Sequence, residues 1–345
     1  MKMKISEIYD IFEDKKHNVY QVRSGEELMI IEFDDDEKER IFKKILKILK
    51  KKKIDYETLL SILNKEFSKE KIIEVISLLL NENIIEEVGE EELKDKRKKG
   101  VLNLQMRFLT KGEVKGTKIQ EKIKNTSLLI LGSSLWLNLL KEKAKKSGFE
   151  KIKCIRFKER MQVSSIFPEI EKSDFVIIEN ERPSPWILEE LNIKLVEVLK
   201  PWLLITKVDG LTIRVGPLFI GKGTGCYHCL SLRLKSCMDS DFYSYYKEYE
   251  DYLKLNLKIG SSRGSLILIY DIISSIALIE VLKYITGVSI PAVYKSYLTL
   301  NLWNYDFQIH HLLKVPNCPI CHPKFEVLPS PWLEPIMLEE KEEES

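Results

Sequence analysis

The chain has 345 residues, of which 44% are hydrophobic, so it can bury a sizeable core and is not a wholly disordered protein. Its 55 Lys and Arg residues nearly balance its 53 Asp and Glu residues, which argues against a strongly cationic nucleic-acid-binding surface. Six cysteines are too few to build a disulfide scaffold of this length.

Residues 1–90 are predicted to form one unit that begins with a β-hairpin. Residues 18–23 (NVYQVR) and 27–33 (ELMIIEF) are rich in β-branched and aromatic side chains, and a Ser24-Gly25 turn lies between them. Both segments are therefore expected to be strands, and residues 84–88 (IIEEV) are expected to close the unit as a third strand.

Three helices are predicted between these strands. Residues 36–51 carry apolar side chains at helical spacing. Asp55 and Ser68 are suitable N-caps for a second helix that runs through Leu63 and a third over 69–80. Two strands, three helices and a closing strand are typical of a winged helix.

Residues 91–125 are highly charged and are predicted to form a linker. The lysine run at 50–53 admits a DNA-binding interpretation of the first unit. However, the third helix (KEKIIEVISLLLNE) is apolar and acidic beyond its first turn, where a DNA-reading helix needs Lys or Arg. We therefore interpret the lysines as a solvated helix end and expect no nucleic-acid partner.

From residue 126 to residue 325 the pattern changes to apolar strands that alternate with helices. This order predicts an α/β domain of parallel strands joined by crossover helices. A turn at Asp209-Gly210 is expected to make a hairpin of 202–208 and 211–215, and two late strands follow. The predicted strands are 126–131, 151–157, 174–179, 202–208, 211–215, 293–303 and 306–313, and the predicted helices are 135–147, 185–200 and 265–287.

The final segment, 326–345, is rich in proline and then in glutamate. Four apolar side chains in it are predicted to dock on this chain or on a partner: Trp332, Leu333, Ile336 and Met337. A disordered tail is the alternative interpretation.

Neither a secretory signal nor a membrane span is expected. Residues 1–18 carry acids and lysines where an apolar signal segment should be. The apolar stretch 265–287 contains Asp271, Glu280 and Lys283, each of which is costly in a bilayer, so a buried core helix is predicted. A cytoplasmic location follows, where thiols are reduced and cysteine pairs indicate metal binding or catalysis.

The strongest chemical signal is a pair of Cys-x-x-Cys motifs, CYHC from Cys226 to Cys229 and CPIC from Cys318 to Cys321. Two residues between thiolates let one loop present both sulfurs to one tetrahedral ion, so two such loops predict a closed, structural zinc site. Two separate redox pairs are the less favoured alternative.

Two histidines and two further cysteines could also be metal ligands. His228 and His322 adjoin the cysteines and could replace a ligand, but four thiolates already suffice. Cys154 lies in an apolar strand and is predicted to be a small buried hydrophobe. Cys237, which follows the helix after Cys229, is predicted not to bind the metal.

The turn after the first strand of the α/β domain lacks the pattern of a nucleotide site. In LILGSSLWLNLL, Gly132 is present, but two serines and the bulky pair Leu135-Trp136 occupy the approach that phosphate needs. The second strand ends with Arg156 where a ribose-binding acid would be. We therefore expect a Rossmann-type domain that binds no ATP.

The strings VGPLF, GKGTGCYHCLSLRLKSC, DFVIIENERPSP and PNCPIC resemble the E1-like (ThiF-like) proteins of thiazole/oxazole-modified microcin biosynthesis. These are also called leader-peptide-binding or cyclodehydratase C components. The resemblance covers nearly the whole chain. It includes residues 1–90, which are similar to the winged-helix recognition element of precursor peptides.

This resemblance implies a non-catalytic subunit that binds the leader of a ribosomal precursor peptide. It presents the core peptide to a YcaO-type partner, which uses ATP to form azoline heterocycles. A dehydrogenase subunit is a further implied partner, and a homodimer is the implied assembly. The family's structural Zn²⁺ carries over to Cys226, Cys229, Cys318 and Cys321.

The same resemblance implies that the leader adds as a strand beside 27–33 and packs against the third helix. The candidate contact residues are Leu28, Ile30, Ile73, Ile76 and Leu80, each of which has core packing as its alternative role. The runner-up function is an active E1/ThiF-like enzyme that adenylates a peptide or protein C-terminus, which would need a working phosphate loop.

Overall fold

The computed structural model describes residues 2–6, 9–24, 27–82, 84–88, 105, 116–134, 136–207, 211–262 and 264–322. The chain divides into two compact units, Met1–Phe108 and Leu109–Ser345. Among the described residues, no helix is both long enough and apolar enough to cross a membrane. The predicted tail, 326–345, lies outside the described residues.

In its described residues, the first unit contains two three-stranded antiparallel sheets and three helices. One sheet has the order β5-β1-β6 and the other the order β2-β3-β4. The strands are β1 (Lys2–Ile5), β2 (Asp10–Asp14), β3 (Val19–Ser24), β4 (Glu27–Ile31), β5 (Ile54–Asp55) and β6 (Ile85–Val88). The helices are α1 (Asp36–Lys51), α2 (Tyr56–Leu63) and α3 (Lys69–Asn81).

Local sequence signals explain where these helices begin. The Asp35 carboxylate accepts a hydrogen bond from the N–H of Glu37, and Asp55 Oδ1 accepts one from the N–H of Thr58 at 2.8 Å, so both residues cap helices. Ser68 occupies the N-cap position of α3, but its side chain makes no capping bond. Its N–H instead donates to Glu37 Oε1 at 3.0 Å, so contact with α1 fixes this helix start.

The second unit is built on one seven-stranded sheet, in the order β13-β12-β11-β10-β9-β7-β8. Its strands are β7 (Ser127–Gly132), β8 (Lys151–Arg156), β9 (Phe175–Glu179), β10 (Pro201–Lys207), β11 (Thr212–Ile220), β12 (Ser296–Asn301) and β13 (Asp306–His311). Its helices are α4 (Gly116–Asn125), α5 (Leu137–Lys146), α6 (Phe167–Lys172), α7 (Pro185–Glu197), α8 (Tyr227–Ser236), α9 (Ser240–Leu255) and α10 (Ile267–Thr286).

Four neighbouring strands, β8, β7, β9 and β10, are parallel, and β11, β12 and β13 add antiparallel. The α/β domain with parallel strands is thus confirmed, as is the predicted antiparallel pairing of β10 with β11. The sheet order changes direction at β7, where β8 lies on one side and β9 on the other. In such sheets ligands bind beyond the carboxyl ends of the strands at this point.

Both faces of the parallel part of the sheet are covered, as a parallel sheet requires. In β7, Leu128 and Ile130 pack towards the core formed with α4, α5 and α10. Leu129 and Leu131 pack on the opposite face towards α6, α7 and α8. Residues 116–125, which the sequence places in the linker, form α4, and its Ile119 and Ile123 are buried in the first of these cores.

Candidate functional sites

Four buried cysteines meet at one point in the second unit. Cys226 is the residue before α8 and Cys229 lies in its first turn, whereas Cys318 and Cys321 follow β13. The Sγ atoms are 3.7 Å apart for Cys226 and Cys318 and 3.6 Å apart for Cys229 and Cys321, and all four lie within 4.8 Å of one another. A tetrahedral ion with sulfur ligands at about 2.3 Å needs S···S distances of about 3.8 Å, so the geometry fits.

The thiols of this cluster cannot all ionise together without a cation. A hydrogen bond between Cys226 and Cys229 raises the pKa of Cys226 and holds that of Cys229 down to about 4. Burial, followed by the charge on Cys229, raises the pKa of Cys321 to about 12. The N–H of Val315 donates to Cys229 Sγ at 3.4 Å, as expected for a thiolate held in a turn. A divalent cation would supply the missing positive charge.

The remaining cysteines lie elsewhere. Cys237 is exposed at the end of α8, and Cys154 is half-buried in β8 rather than fully buried. Burial still raises the pKa of Cys154. Within the described residues, the group that could hold a metal consists of the four clustered cysteines, without His228 or His322.

A carboxylate occupies the loop at the carboxyl end of β7. Glu179, the last residue of β9, is fully buried opposite Gly132. Its Oε2 accepts hydrogen bonds from the N–H groups of Ser133 and Ser134, each at 3.0 Å. Its Oε1 accepts a further bond from the N–H of Glu181. Backbone N–H groups at this position hold phosphate in nucleotide-binding domains, and here they hold a side chain of the chain itself.

Gly132 is needed for this close approach. A Cβ at this position would lie 2.5 Å from Glu179 Oε2 and 2.9 Å from its carbonyl oxygen. Burial, together with the charge of Glu181, raises the pKa of Glu179 to about 6. From the sequence, only the bulky residues of the loop argued against a phosphate site. The structure adds that Glu179 accepts the hydrogen bonds of the loop's N–H groups.

A second acid, Glu181, ties the same loop to distant segments. Its Oε2 accepts a hydrogen bond from Trp136 Nε1 at 3.1 Å. Its Oε1 accepts bonds from the hydroxyl groups of Ser262 at 2.7 Å and Tyr270 at 2.5 Å. The Trp136 and Tyr270 rings stack with centroids 5.3 Å apart. The sequence did not single out these acids, although Glu179 ends a strand that is otherwise wholly apolar (FVIIE).

In the first unit, β4 is an edge strand of its sheet. Leu28 and Ile30 are 48% and 58% exposed, and they alternate with half-buried Met29 and buried Ile31. Phe12 lies on the same open face, since it pairs with Gln21, which in turn pairs with Ile30. Phe12 is 46% exposed and was not anticipated from the sequence. This face therefore presents apolar side chains next to a strand edge that pairs with no other described strand.

The three candidate peptide contacts on α3 differ in exposure. Ile73 is 40% exposed, Leu80 is half-buried against the core, and Ile76 is buried within it. Ile76 therefore presents no side-chain surface to a peptide in this conformation. Leu28, Ile30 and Ile73 remain as accessible apolar candidates.

No family model and no curated protein matches the chain. Solved structures do match it. The heterocyclase TruD is 16% identical with a TM-score of 0.65, over 93% of this chain and 42% of TruD. A heterocyclase in complex with substrate and cofactor is 17% identical with a TM-score of 0.66, over 92% of this chain and 39% of the other. MccB from E. coli, solved with AMPCPP and MccA, is 13% identical with a TM-score of 0.57, over 93% of this chain and 99% of MccB.

At these identities the likeness establishes the fold and leaves the activity open. The chain shares the fold of a heterocyclase and of MccB, and its α/β unit with four clustered cysteines is consistent with an E1-like domain. The chain spans less than half the length of the two heterocyclases it matches.

Proposed function

We propose that this chain binds the leader of a ribosomal precursor peptide and presents its core to a separate YcaO-type cyclodehydratase, which forms azolines with ATP. The observation that carries the proposal is the open, apolar edge of β4, where Leu28 and Ile30 are about half exposed. An extended peptide can add as a strand there through its backbone, with alternate side chains on the apolar face.

The position of α3 supports this mode of binding. Lys71 of α3 forms ion pairs with Asp35 at 2.5 Å and Glu37 at 2.8 Å, both shortly after β4. These bonds hold the first turns of α3, which include the exposed Ile73, near the segment that leaves β4. On this proposal Ile73, which is 40% exposed, adds an apolar helix contact for a strand bound beside β4. On this proposal the first unit is a winged-helix precursor recognition element.

The ATP-dependent step is assigned to the partner because of the loop after β7. The N–H groups of Ser133 and Ser134 are already bonded to Glu179, so a phosphate would have to displace a buried carboxylate. The proposal includes a homodimer in the cytoplasm that can also work with a dehydrogenase subunit.

We assign one structural Zn²⁺ to Cys226, Cys229, Cys318 and Cys321. The S···S distances and the burial of all four thiols favour this ion. A four-thiolate site leaves no open position for water or substrate, so the zinc holds the start of α8 against the turn after β13 and takes no part in catalysis.

Ile30→Asp is expected to raise the Kd for the leader of a precursor encoded beside this gene by roughly tenfold or more, because a charge would lie on the apolar contact. Fluorescence anisotropy with a labelled leader measures it. Ile193→Asp is the matched control, since Ile193 is 53% exposed on α7 in the other unit and should leave the Kd unchanged.

Strand addition is tested separately with Ile30→Pro, which removes one backbone N–H from β4 and should weaken binding further if the far-ultraviolet spectrum is retained. The proposal fails if wild-type protein shows no saturable binding to the cognate leader. It also fails if Ile193→Asp weakens binding as much as Ile30→Asp.

An adenylating enzyme is the second candidate, favoured by the match to nearly the full length of MccB. If the leader-binding proposal is right, the purified chain should catalyse no ATP–pyrophosphate exchange above background with precursor peptide present. Exchange that depends on chain and peptide concentration would favour the adenylating enzyme. A parallel reaction with an enzyme of established adenylating activity would show that the assay detects such exchange.

A further inference from the structure

Within the described residues, one face of the sheet of the second unit is polar and open over β11, β12 and β13. Ile213, Val215, Leu298 and Leu300 point into the core with α10, so the alternate residues of these strands point to the other side. There they line an open concavity of about 310 Å³, formed largely by Thr212, Arg214, Tyr297, Thr299, Gln308 and His310.

Arg214 is the cation of this concavity. Its guanidinium carbon lies 5.0 Å from the centroid of the Tyr297 ring. The His310 ring also stacks on Tyr297, with centroids 4.8 Å apart and an interplanar angle of 20°. Thr299 Oγ1 is 2.8 Å from His310 Nε2, which fixes the imidazole against β12. Three strands thus hold an arginine, a tyrosine and a histidine in a rigid row.

The charge of Arg214 has no counter-ion within the described part of the chain. Its Nε is buried and has no hydrogen-bond partner, and no carboxylate there forms an ion pair with it. Burial lowers the pKa of Arg214, and only the phenol groups of Tyr297 and Tyr246 oppose that shift. Asp306 lines the same concavity, and its Oδ2 accepts a hydrogen bond from Gln308 Nε2 at 2.7 Å.

A half-buried guanidinium without an anion is costly, because it has lost water without gaining a partner. We propose that the concavity over β11–β13 is an oxyanion-binding site in which Arg214 pairs with a carboxylate or a phosphate group. The planar guanidinium can donate two parallel hydrogen bonds to either group, and Tyr297 holds its plane in position. This site is independent of the proposed leader site, which lies in the other unit.

The test uses the full-length protein, with inorganic phosphate and N-acetylglutamate as separate probes. Nuclear magnetic resonance of the arginine Nε–H groups should show a saturable shift of the Arg214 signal, assigned by its loss in Arg214→Lys. The signal of Arg40, an exposed arginine of α1, should not shift saturably. Saturation at lower concentration by phosphate assigns a phosphoryl ligand, and the reverse order assigns a carboxylate.

Calorimetry with variants provides the second arm. Arg214→Met should raise the Kd for the better probe at least tenfold, whereas Arg40→Met should leave it unchanged. The proposal is overturned if neither probe shifts the wild-type Arg214 signal saturably. It is equally overturned if Arg214→Met binds as tightly as wild type. Since the wild-type titration needs no variant to fold, a misfolded Arg214→Met would still leave a decisive result.

Discussion

Cys226→Ser is expected to release the bound zinc and to lower the free energy of unfolding by several kcal/mol. The variant removes one of four sulfurs that lie within 4.8 Å of one another, so the three remaining thiolates can no longer complete a closed tetrahedral site. Because metal binding is coupled to folding, loss of the ion is also loss of stability. Metal analysis by mass spectrometry and urea unfolding measure the two effects.

Cys237→Ser is the matched control, since Cys237 is exposed and lies outside the cluster. It should retain one zinc per chain and the wild-type unfolding midpoint. Wild-type protein without stoichiometric zinc, or a Cys226→Ser variant that keeps the ion with full stability, would show that the cluster is not a structural zinc site.

Glu179→Ala is expected to lower the free energy of unfolding by roughly 3 kcal/mol or more. It leaves the N–H groups of Ser133, Ser134 and Glu181 buried without an acceptor, and each such orphan costs about 1–3 kcal/mol. Urea unfolding followed by circular dichroism measures it. Glu159→Ala, at an exposed position, should change stability little. Equal stability of the two variants would mean that the carboxylate does not hold the loop.

The same residue should give stability a defined pH dependence. The pKa of Glu179 is raised to about 6 from an ordinary value of 4.5, so the folded state holds the proton more tightly than the unfolded state. The stability that this protonation contributes to the folded state is therefore fully present below pH 4.5. As the pH rises through about 6 it is lost, and the free energy of unfolding falls by about 2 kcal/mol.

Glu179→Gln removes this titration, so the difference between wild-type and variant unfolding free energies should change over that pH range. Glu181 contributes to the raised pKa through its charge and remains in the variant. Parallel pH profiles for the two proteins would contradict the assignment.

Residues with strong local signals were predictable from the sequence. The 36–51 helix was placed with its observed bounds, because acids in its first turn, lysines in its last and apolar residues at helical spacing all agree. The four cysteines were grouped by motif spacing alone, and the structure brings them together. Local chemistry was sufficient in both cases.

Other features depend on contacts that sequence does not reveal. Residues 240–255 contain several tyrosines, which have strand propensity, yet they form α9, and Asp239 caps this helix through the N–H of Phe242. The short strand β1 pairs with β5 on one side and with β6 on the other, so these strands depend on contacts between distant residues. Glu179 accepts a hydrogen bond from the N–H of Ser133, which lies 46 residues away in the sequence. The residues around either position therefore do not predict this bond.

The spacing of the cysteines also determines when each unit can fold during synthesis. Cys226 and Cys318, like Cys229 and Cys321, are 92 residues apart, so the ends of a long loop must meet before the cluster closes. On the ribosome the first unit emerges whole while both CPIC cysteines are still untranslated. The proposed peptide-binding surface can therefore mature first, whereas the four-cysteine cluster of the second unit can close only after the final pair of cysteines has left the ribosome.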